Sequence, residues 1–274
     1  MTESSDSGKI AFGSAMIPMN RKELSIVFCF IFLLSCYAFD IRIGMGQGDG
    51  VRLSYRIVGK GKPLVVIHDG PGGEKSILYD GFDQLRSDMR VIYYDQRGCG
   101  KSQPITPATS CTIDDNVRDL ESLRRYLHLR RFSIAAHGWG VVIAIEYARR
   151  HPDRVESMVL ITPIAAHPGG RRLEEVVNRL PDESRHTLMT ALNDPRLSLL
   201  QKRELILRHV MPLLFYNEKA RRSVDLSRLR YSPEVGARLG EELKSLDLRT
   251  VLGEVKVPTL IAVSYTHLTL PTKA

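Results

Sequence analysis

The residues from Phe132 to Arg150 lay out a place for a nucleophile and put no nucleophile in it. Phe132–Ala136 is a short apolar run with the character of a buried strand, Val141–Arg150 has helical spacing, and Ala136-His137-Gly138-Trp139-Gly140 joins them. A strand, a sharp turn of small residues and a helix are the parts of a nucleophile elbow, G-x-S-x-G, in which a strained turn lifts a serine hydroxyl clear of the sheet. The chemistry of such a turn is acyl transfer. The serine attacks a carbonyl, a histidine takes its proton, an acid orients the histidine, and backbone N–H groups hold the oxyanion. Here the middle position is Gly138, which has no side chain. Neighbouring hydroxyls and thiols do not stand in for it: Ser133 lies earlier on the strand, and Cys99 and Ser102 belong to a different turn. Loss of a triad nucleophile removes nearly all of the acceleration and leaves what the oxyanion donors and binding supply.

The elements that must position this turn are legible from period and punctuation. Val51–Val58 alternates apolar and polar residues. Pro63–His68 and Val91–Tyr94 are compact apolar runs, closed by Asp69-Gly70-Pro71-Gly72-Gly73 and by Asp95-Gln96-Arg97-Gly98-Cys99-Gly100; Val155–Ile161 and Val257–Val263 are two more. Short apolar runs closed by glycine-rich turns and alternating with helical patterns predict an α/β fold, a mostly parallel sheet with helices on both faces. Thr112 with Asp115 three residues on predicts a capping box, ahead of a stripe formed by Val117, Leu120, Leu123 and Leu127. The helix after the 137–140 turn stops at Pro152. Residues 167–246 are rich in Arg, Glu and Leu at helical spacing and carry no strand pattern. They predict a helical cap inserted between a core over 51–166 and a return to the sheet over 247–263.

A chain of 274 residues is long enough for a full core, and 43% hydrophobic with 26% charged residues is ordinary for a globular protein. The net charge of +8 comes from scattered pairs such as Arg124-Arg125, Arg149-Arg150 and Arg221-Arg222. Pairs on helical stretches read as a solvated surface, and no nucleic-acid-binding motif accompanies them. No cysteine or histidine spacing suggests a metal, and no motif calls for a cofactor. Cys99 and Cys111 fall in the folded region, where an oxidising compartment would permit a disulfide; two unpaired, partly buried thiols are the alternative.

The N-terminus reads as a targeting segment. Leu24–Phe39 is uncharged and apolar, with Arg21 and Lys22 before it and Asp40 and Arg42 after. It is shorter than the roughly 20 residues that span a bilayer and fits the apolar region of a signal peptide behind a basic start. Leu33-Leu34-Ser35-Cys36 resembles a bacterial lipobox, which implies lipidation at Cys36 and a signal over residues 19–36; plain cleavage and a short uncleaved anchor are the alternatives. Residues 1–18, polar and aperiodic, then read as an unused upstream start, and 37–50 as a linker. Either way the chain is expected at, or across, a membrane.

Three motifs in order resemble one family. His68-Asp69-Gly70-Pro71-Gly72-Gly73 resembles the H-G-G-P-G-G turn of proline iminopeptidases, Asp95-Gln96-Arg97-Gly98-Cys99-Gly100-Lys101-Ser102 resembles their D-Q-R-G-x-G-x-S segment, and His137-Gly138-Trp139-Gly140 resembles their H-S-W-G elbow with one residue changed. His151-Pro152-Asp153-Arg154-Val155 resembles their H-P-x-R-V. The resemblance covers about residues 50–166 and resumes near 246–262. It implies an α/β-hydrolase fold and acyl transfer on a short peptide with an N-terminal proline, or on a related small amide or ester. It places the oxyanion donors at the backbone of Trp139 and of Asp69-Gly70.

The same resemblance expects an acid and a histidine late in the chain. No Asp or Glu follows Glu254, and His267 comes too soon after the last strand. The ending Val263-Ser264-Tyr265-Thr266-His267-Leu268-Thr269-Leu270-Pro271-Thr272 resembles a translated adaptor from sequencing-library preparation, so residues 264–274 are expected to be foreign and the natural frame cut near Val263. Three readings follow: a proline iminopeptidase-like hydrolase that is inactive as written, with Gly138 an isolated change of one codon from serine; a membrane-anchored relative that binds a ligand without catalysis; or a chain that, cut before its last strands, has no stable function. Acids in the cap such as Glu174, Glu175 and Glu183 read as solvated helix-face residues, with a substrate ammonium as the other use.

Overall fold

The computed structural model describes residues 9–12, 15–18, 41–163, 178, 180–198, 201, 202, 204, 205, 209 and 230–263. The chain divides into two units, Met1–Arg42 and Ile43–Ala274. In the first, β1 (Lys9–Phe12) and β2 (Ala15–Pro18) pair as an antiparallel hairpin, in a stretch whose sequence predicts no element. The apolar run Leu24–Phe39, Cys36 and the tail from residue 264 lie outside the described residues. Among the described residues no helix is long and apolar enough to cross a membrane.

A seven-stranded sheet organises the second unit. Its strands are β3 (Ile41–Gln47), β4 (Arg52–Val58), β5 (Lys62–Ile67), β6 (Met89–Tyr94), β7 (Phe132–His137), β8 (Val155–Ile161) and β9 (Thr259–Ala262), in the order β3-β4-β6-β5-β7-β8-β9. β4 runs antiparallel to β6, and every pair from β6 to β9 is parallel. The α/β architecture is the one the apolar runs predict. β3 occupies the stretch expected as a linker, and the alternation of Ile41, Ile43 and Met45 is the period-two signal for it.

Parallel strands are covered on both faces, which is why their sequences read as continuous apolar runs. Val65, Ile67, Ile92, Tyr94, Ile134 and Ala136 face one core, shared with α2 (Ile113–Tyr126) and α3 (Gly140–Arg150). Leu64, Val66, Val91, Tyr93 and Ala135 face a smaller one, against Leu78, Tyr79 and Phe82 around the single turn of α1 (Tyr79–Phe82). The region expected as a cap contains α4 (Asp182–Asn193) and α5 (Pro233–Ser245) among the described residues. α5 is anchored on the core: Arg238 donates to the carbonyls of Thr109 and Thr106, and Glu242 accepts from the N–H of Ile113. A single turn, α6 (Arg249–Leu252), precedes β9, the last of the described strands in the sheet order, and its Leu260 and Ile261 are exposed.

The helix that precedes the elbow strand is fixed at both ends. The predicted capping box is present at its start, with Thr112 and Asp115 satisfying each other's backbone N–H groups. Near its end Glu121 accepts hydrogen bonds from Arg124, Arg125 and, across the helix pair, from Tyr147 Oη at 2.8 Å. Burial raises the Glu121 carboxyl pKa, but hydrogen bonds from Arg124, Tyr147 and Arg125 outweigh it and hold the carboxyl at about 2, against an ordinary 4.5. The folded state therefore binds this proton less readily than the unfolded chain does. The contribution is complete above the unfolded value and is lost as pH falls through the folded one. Urea midpoints taken between about pH 5 and pH 2 are expected to drop less steeply in Glu121→Gln than in the parent, and parallel curves would remove Glu121 from the acid transition.

Candidate active site

Three turns at the carboxyl ends of β5, β6 and β7 are tied together by buried hydrogen bonds. His68 is fully buried; its Nδ1 lies 2.6 Å from the Asp69 carbonyl, and its Nε2 accepts from the N–H of Gln96 at 3.2 Å. That pairing assigns the neutral tautomer with the proton on Nδ1, and burial lowers the pKa accordingly. The Gln96 amide donates to the His68 carbonyl and accepts from Trp139 Nε1, both at 2.8 Å. Arg97 spans further, with Nε and Nη2 on the Asp119 carboxylate at 2.8 and 2.9 Å and Nη1 on the Ser110 carbonyl. Asp95 is buried, paired with the Lys75 ammonium and receiving the backbone N–H groups of Lys75 and Lys101. His68, Asp95, Gln96 and Arg97 are thus a scaffold for the turns, with every functional atom spent on structure.

The elbow itself forms as the strand–turn–helix pattern predicts. Gly138 has a φ of +53°, the left-handed conformation that a nucleophile elbow imposes. Gly140 opens α3 where a Cβ would meet the carbonyl oxygens of Ile67 and His68 at 2.8 Å, so the helix packs this close to β5 only with glycine there. Pro71 and Gly72 shape the preceding turn, whose Gly70–Pro71 peptide is cis, and the Gly72 carbonyl accepts from the N–H of Ser232 ahead of α5.

What fills the place of the absent side chain is Asp69. A Cβ built on Gly138 would lie 2.1 Å from Asp69 Oδ1 and 2.5 Å from Oδ2, so the carboxylate stands in the volume a serine would use. The N–H of Trp139, expected from the resemblance to receive an oxyanion, donates instead to Asp69 Oδ1 at 2.6 Å. Oδ2 lies 3.6 Å from His137 Nδ1, and His137 Nε2 lies 3.0 Å from Thr162 Oγ1. Gly70 follows Asp69 in the turn, and its N–H takes no part in these contacts. The two departures from the resembling motifs, aspartate at 69 and glycine at 138, are therefore complementary in space.

The other candidates fall elsewhere. Ser133 Oγ pairs with Ser157 Oγ at 3.0 Å, and Ser102 Oγ donates to the Asp95 carbonyl. Cys99 and Cys111 are free and buried; burial raises both thiols, Cys111 to about 11, which makes them poor nucleophiles. Glu183 is exposed at the start of α4, while Glu174, Glu175 and His267 lie outside the described residues. Among the described residues no group of His, Cys, Asp and Glu is arranged to hold a metal ion. Thr162 is not among the sequence candidates, although a hydroxyl directly after a buried strand and before a proline is a visible signal.

The coupling between Asp69 and Gly138 is measurable. Gly138→Ala is expected to destabilise the fold by about 1–3 kcal/mol, from left-handed strain and from collision with the carboxylate. In an Asp69→Gly background the cost is expected to be smaller by roughly 1 kcal/mol, since only the strain is left. A double-mutant cycle by denaturant unfolding reads the difference, and additive costs would place the carboxylate outside that volume.

Comparison with known proteins agrees with this fold. The family model described as alpha/beta hydrolase fold matches residues 62–212. The chain is 37% identical over 117 residues to the proline iminopeptidase of Xylella fastidiosa, covering 41% of this chain and 36% of that protein. It is 33% identical over 159 residues to the proline iminopeptidase of Lactobacillus helveticus, covering 53% and 54%. The matches thus span about a third to a half of the curated relatives' length. Among solved structures, a proline iminopeptidase-related protein from Thermus thermophilus superposes with a TM-score of 0.58 at 25% identity, covering 81% of this chain and 89% of that one. An alpha/beta fold family hydrolase from Bacillus anthracis superposes with a TM-score of 0.61 at 20% identity, which speaks for the fold. With a family match over more than half its length, on a mostly parallel sheet covered by helices, this chain belongs to the α/β-hydrolase fold family and is similar within it to proline iminopeptidases.

Proposed function

We propose that this protein is a proline iminopeptidase-like member that does not carry out serine acyl transfer and keeps the scaffold for binding a short peptide or small amide. The observation that carries the reading is the Asp69 carboxylate on the Trp139 N–H, in the volume beside Gly138. A serine mechanism needs a hydroxyl at that point and a free N–H for the oxyanion. Here the hydroxyl is missing and the N–H is engaged. A fixed negative charge where negative charge must develop would oppose the transition state rather than stabilise it. A serine at 138 would also collide with Asp69, which supports a paired substitution over an isolated change of one codon. The peptide class rests on the sequence similarity to proline iminopeptidases.

A membrane-associated setting is part of the same reading. It is supported by the uncharged run Leu24–Phe39 behind Arg21 and Lys22, and by Ser35-Cys36 as the lipidation point. Labelled palmitate is expected to enter the parent in a bacterial host and not Cys36→Ser; equal labelling of both would remove Cys36 from the account.

The binding reading has its own test. The full chain is expected to release no p-nitroaniline from proline p-nitroanilide above background. A proline-containing dipeptide at about 100 times its dissociation constant is expected to stabilise the fold by about 2.7 kcal/mol in denaturant titrations. Turnover of the anilide by the unmodified chain would overturn the loss of peptidase activity. An unchanged unfolding midpoint at saturating dipeptide would overturn the binding role.

A further inference from the structure

Thr162 follows β8 with a φ of +43°. A β-branched residue in the left-handed region is a genuine outlier, and it persists only where its surroundings over-determine it. The backbone is pinned on both sides: the Thr162 N–H donates to the Ala262 carbonyl at 2.8 Å, and the Ile161 carbonyl accepts from the N–H of Gly138 at 3.0 Å. This conformation brings Oγ1 within 3.0 Å of His137 Nε2. The other ring nitrogen, Nδ1, has no hydrogen bond among the described residues and faces Asp69 Oδ2 at 3.6 Å. Asp69 is held from behind by the Trp139 N–H on its other oxygen. A hydroxyl, an imidazole and a carboxylate therefore follow one another at the carboxyl ends of the neighbouring strands β8, β7 and β5. The hydroxyl lies on Nε2 and the carboxylate on Nδ1. That is the arrangement by which a nucleophile, its base and the base's orienting acid are recognised, whatever their order in the chain. All three side chains retain exposure, 32% for His137 and 40% for Asp69, and Thr162 is half-buried.

We propose that Thr162, His137 and Asp69 form a second nucleophilic centre beside the elbow, one that accepts acyl groups from small activated esters. Thr162 Oγ1 bonds to the ester carbonyl carbon as its proton passes to His137 Nε2. The tetrahedral adduct then expels the alcohol, which takes that proton, and leaves an O-acyl threonine. In the second half, water gives a proton to the same Nε2 and attacks the acyl carbon; the carboxylic acid departs and Thr162 recovers its proton. Asp69 is a positioning residue: it accepts from Nδ1–H and favours the imidazolium formed in each half. The 3.6 Å separation must shorten for that bond, as hydrogen bonds of unliganded sites commonly do. The Trp139 N–H is already engaged by Asp69, so the centre lacks the preorganised oxyanion donor that supplies most of an esterase's acceleration. It is accordingly slow and limited to esters with good leaving groups, which separates it from the absent peptidase activity.

The test uses the full chain and p-nitrophenyl acetate, read by intact mass and peptide mapping. One acetyl group on Thr162 is expected. Thr162→Ser should still be acetylated, Thr162→Val should not, and His137→Gln should slow the reaction about 100-fold. Asp69→Asn keeps an oxygen for the Trp139 N–H and removes the charge; it should lower the acylation rate constant and leave the half-saturating ester concentration unchanged. Circular dichroism establishes that each variant folds, and if Thr162→Val does not, the mapped position in the parent decides by itself. Acetyl on lysines alone, no acetylation of the folded parent, or parental rates in folded Thr162→Val would each overturn the proposal.

Discussion

The buried hydrogen bonds among His68, Gln96 and Trp139 hold the site in one piece. They join three turns that follow three different strands, alongside the Asp95–Lys75 pair and the bond from the Trp139 N–H to Asp69. Gln96 reaches the His68 carbonyl on one side and the Trp139 indole on the other, so the elbow is fixed relative to the turn that carries Asp69. Buried as these three side chains are, their network is stable only when fully paired, because each orphaned member costs the desolvation of a polar group. That requirement accounts for the neutral state of His68 and for the participation of both ends of the Gln96 amide.

Within this rigid frame, the exchange of side-chain volume between positions 69 and 138 follows from packing. Interiors leave little room for a missing group, and a carboxylate placed close to an unoccupied backbone N–H will bond to it. Asp69 does both: it takes the space above Gly138 and satisfies Trp139. The backbone N–H of Trp139 thus points at a carboxylate of the protein's own.

The elements that carry the site were legible in the sequence for physical reasons. β5, β6, β7 and β8 are buried on both faces, so their apolar runs stand out, and the capping box at Thr112 is a local contact encoded within four residues. β3 was harder to read because its apolar residues are exposed on an edge strand and interleaved with glycine. The scaffold roles of Asp95 and Arg97 were invisible, since each is defined by partners far along the chain: Lys75 for Asp95, and Asp119 for Arg97.

By itself the sequence determined that the fold is α/β, that a strand–turn–helix elbow exists, and that its central residue has no side chain, because each of these is a matter of local period or of residue identity. It carried Asp69 as no more than one altered letter in a glycine-rich turn. Tertiary structure alone decided that this carboxylate lies against Gly138, that it takes the Trp139 N–H, and that Thr162 meets His137. Positions 69, 137 and 162 are distant in the chain and become neighbours only because β5, β7 and β8 run parallel, side by side, and end at the same edge. Periodicity reports which way a strand faces. Which strand ends come together is set by the order of strands in the sheet.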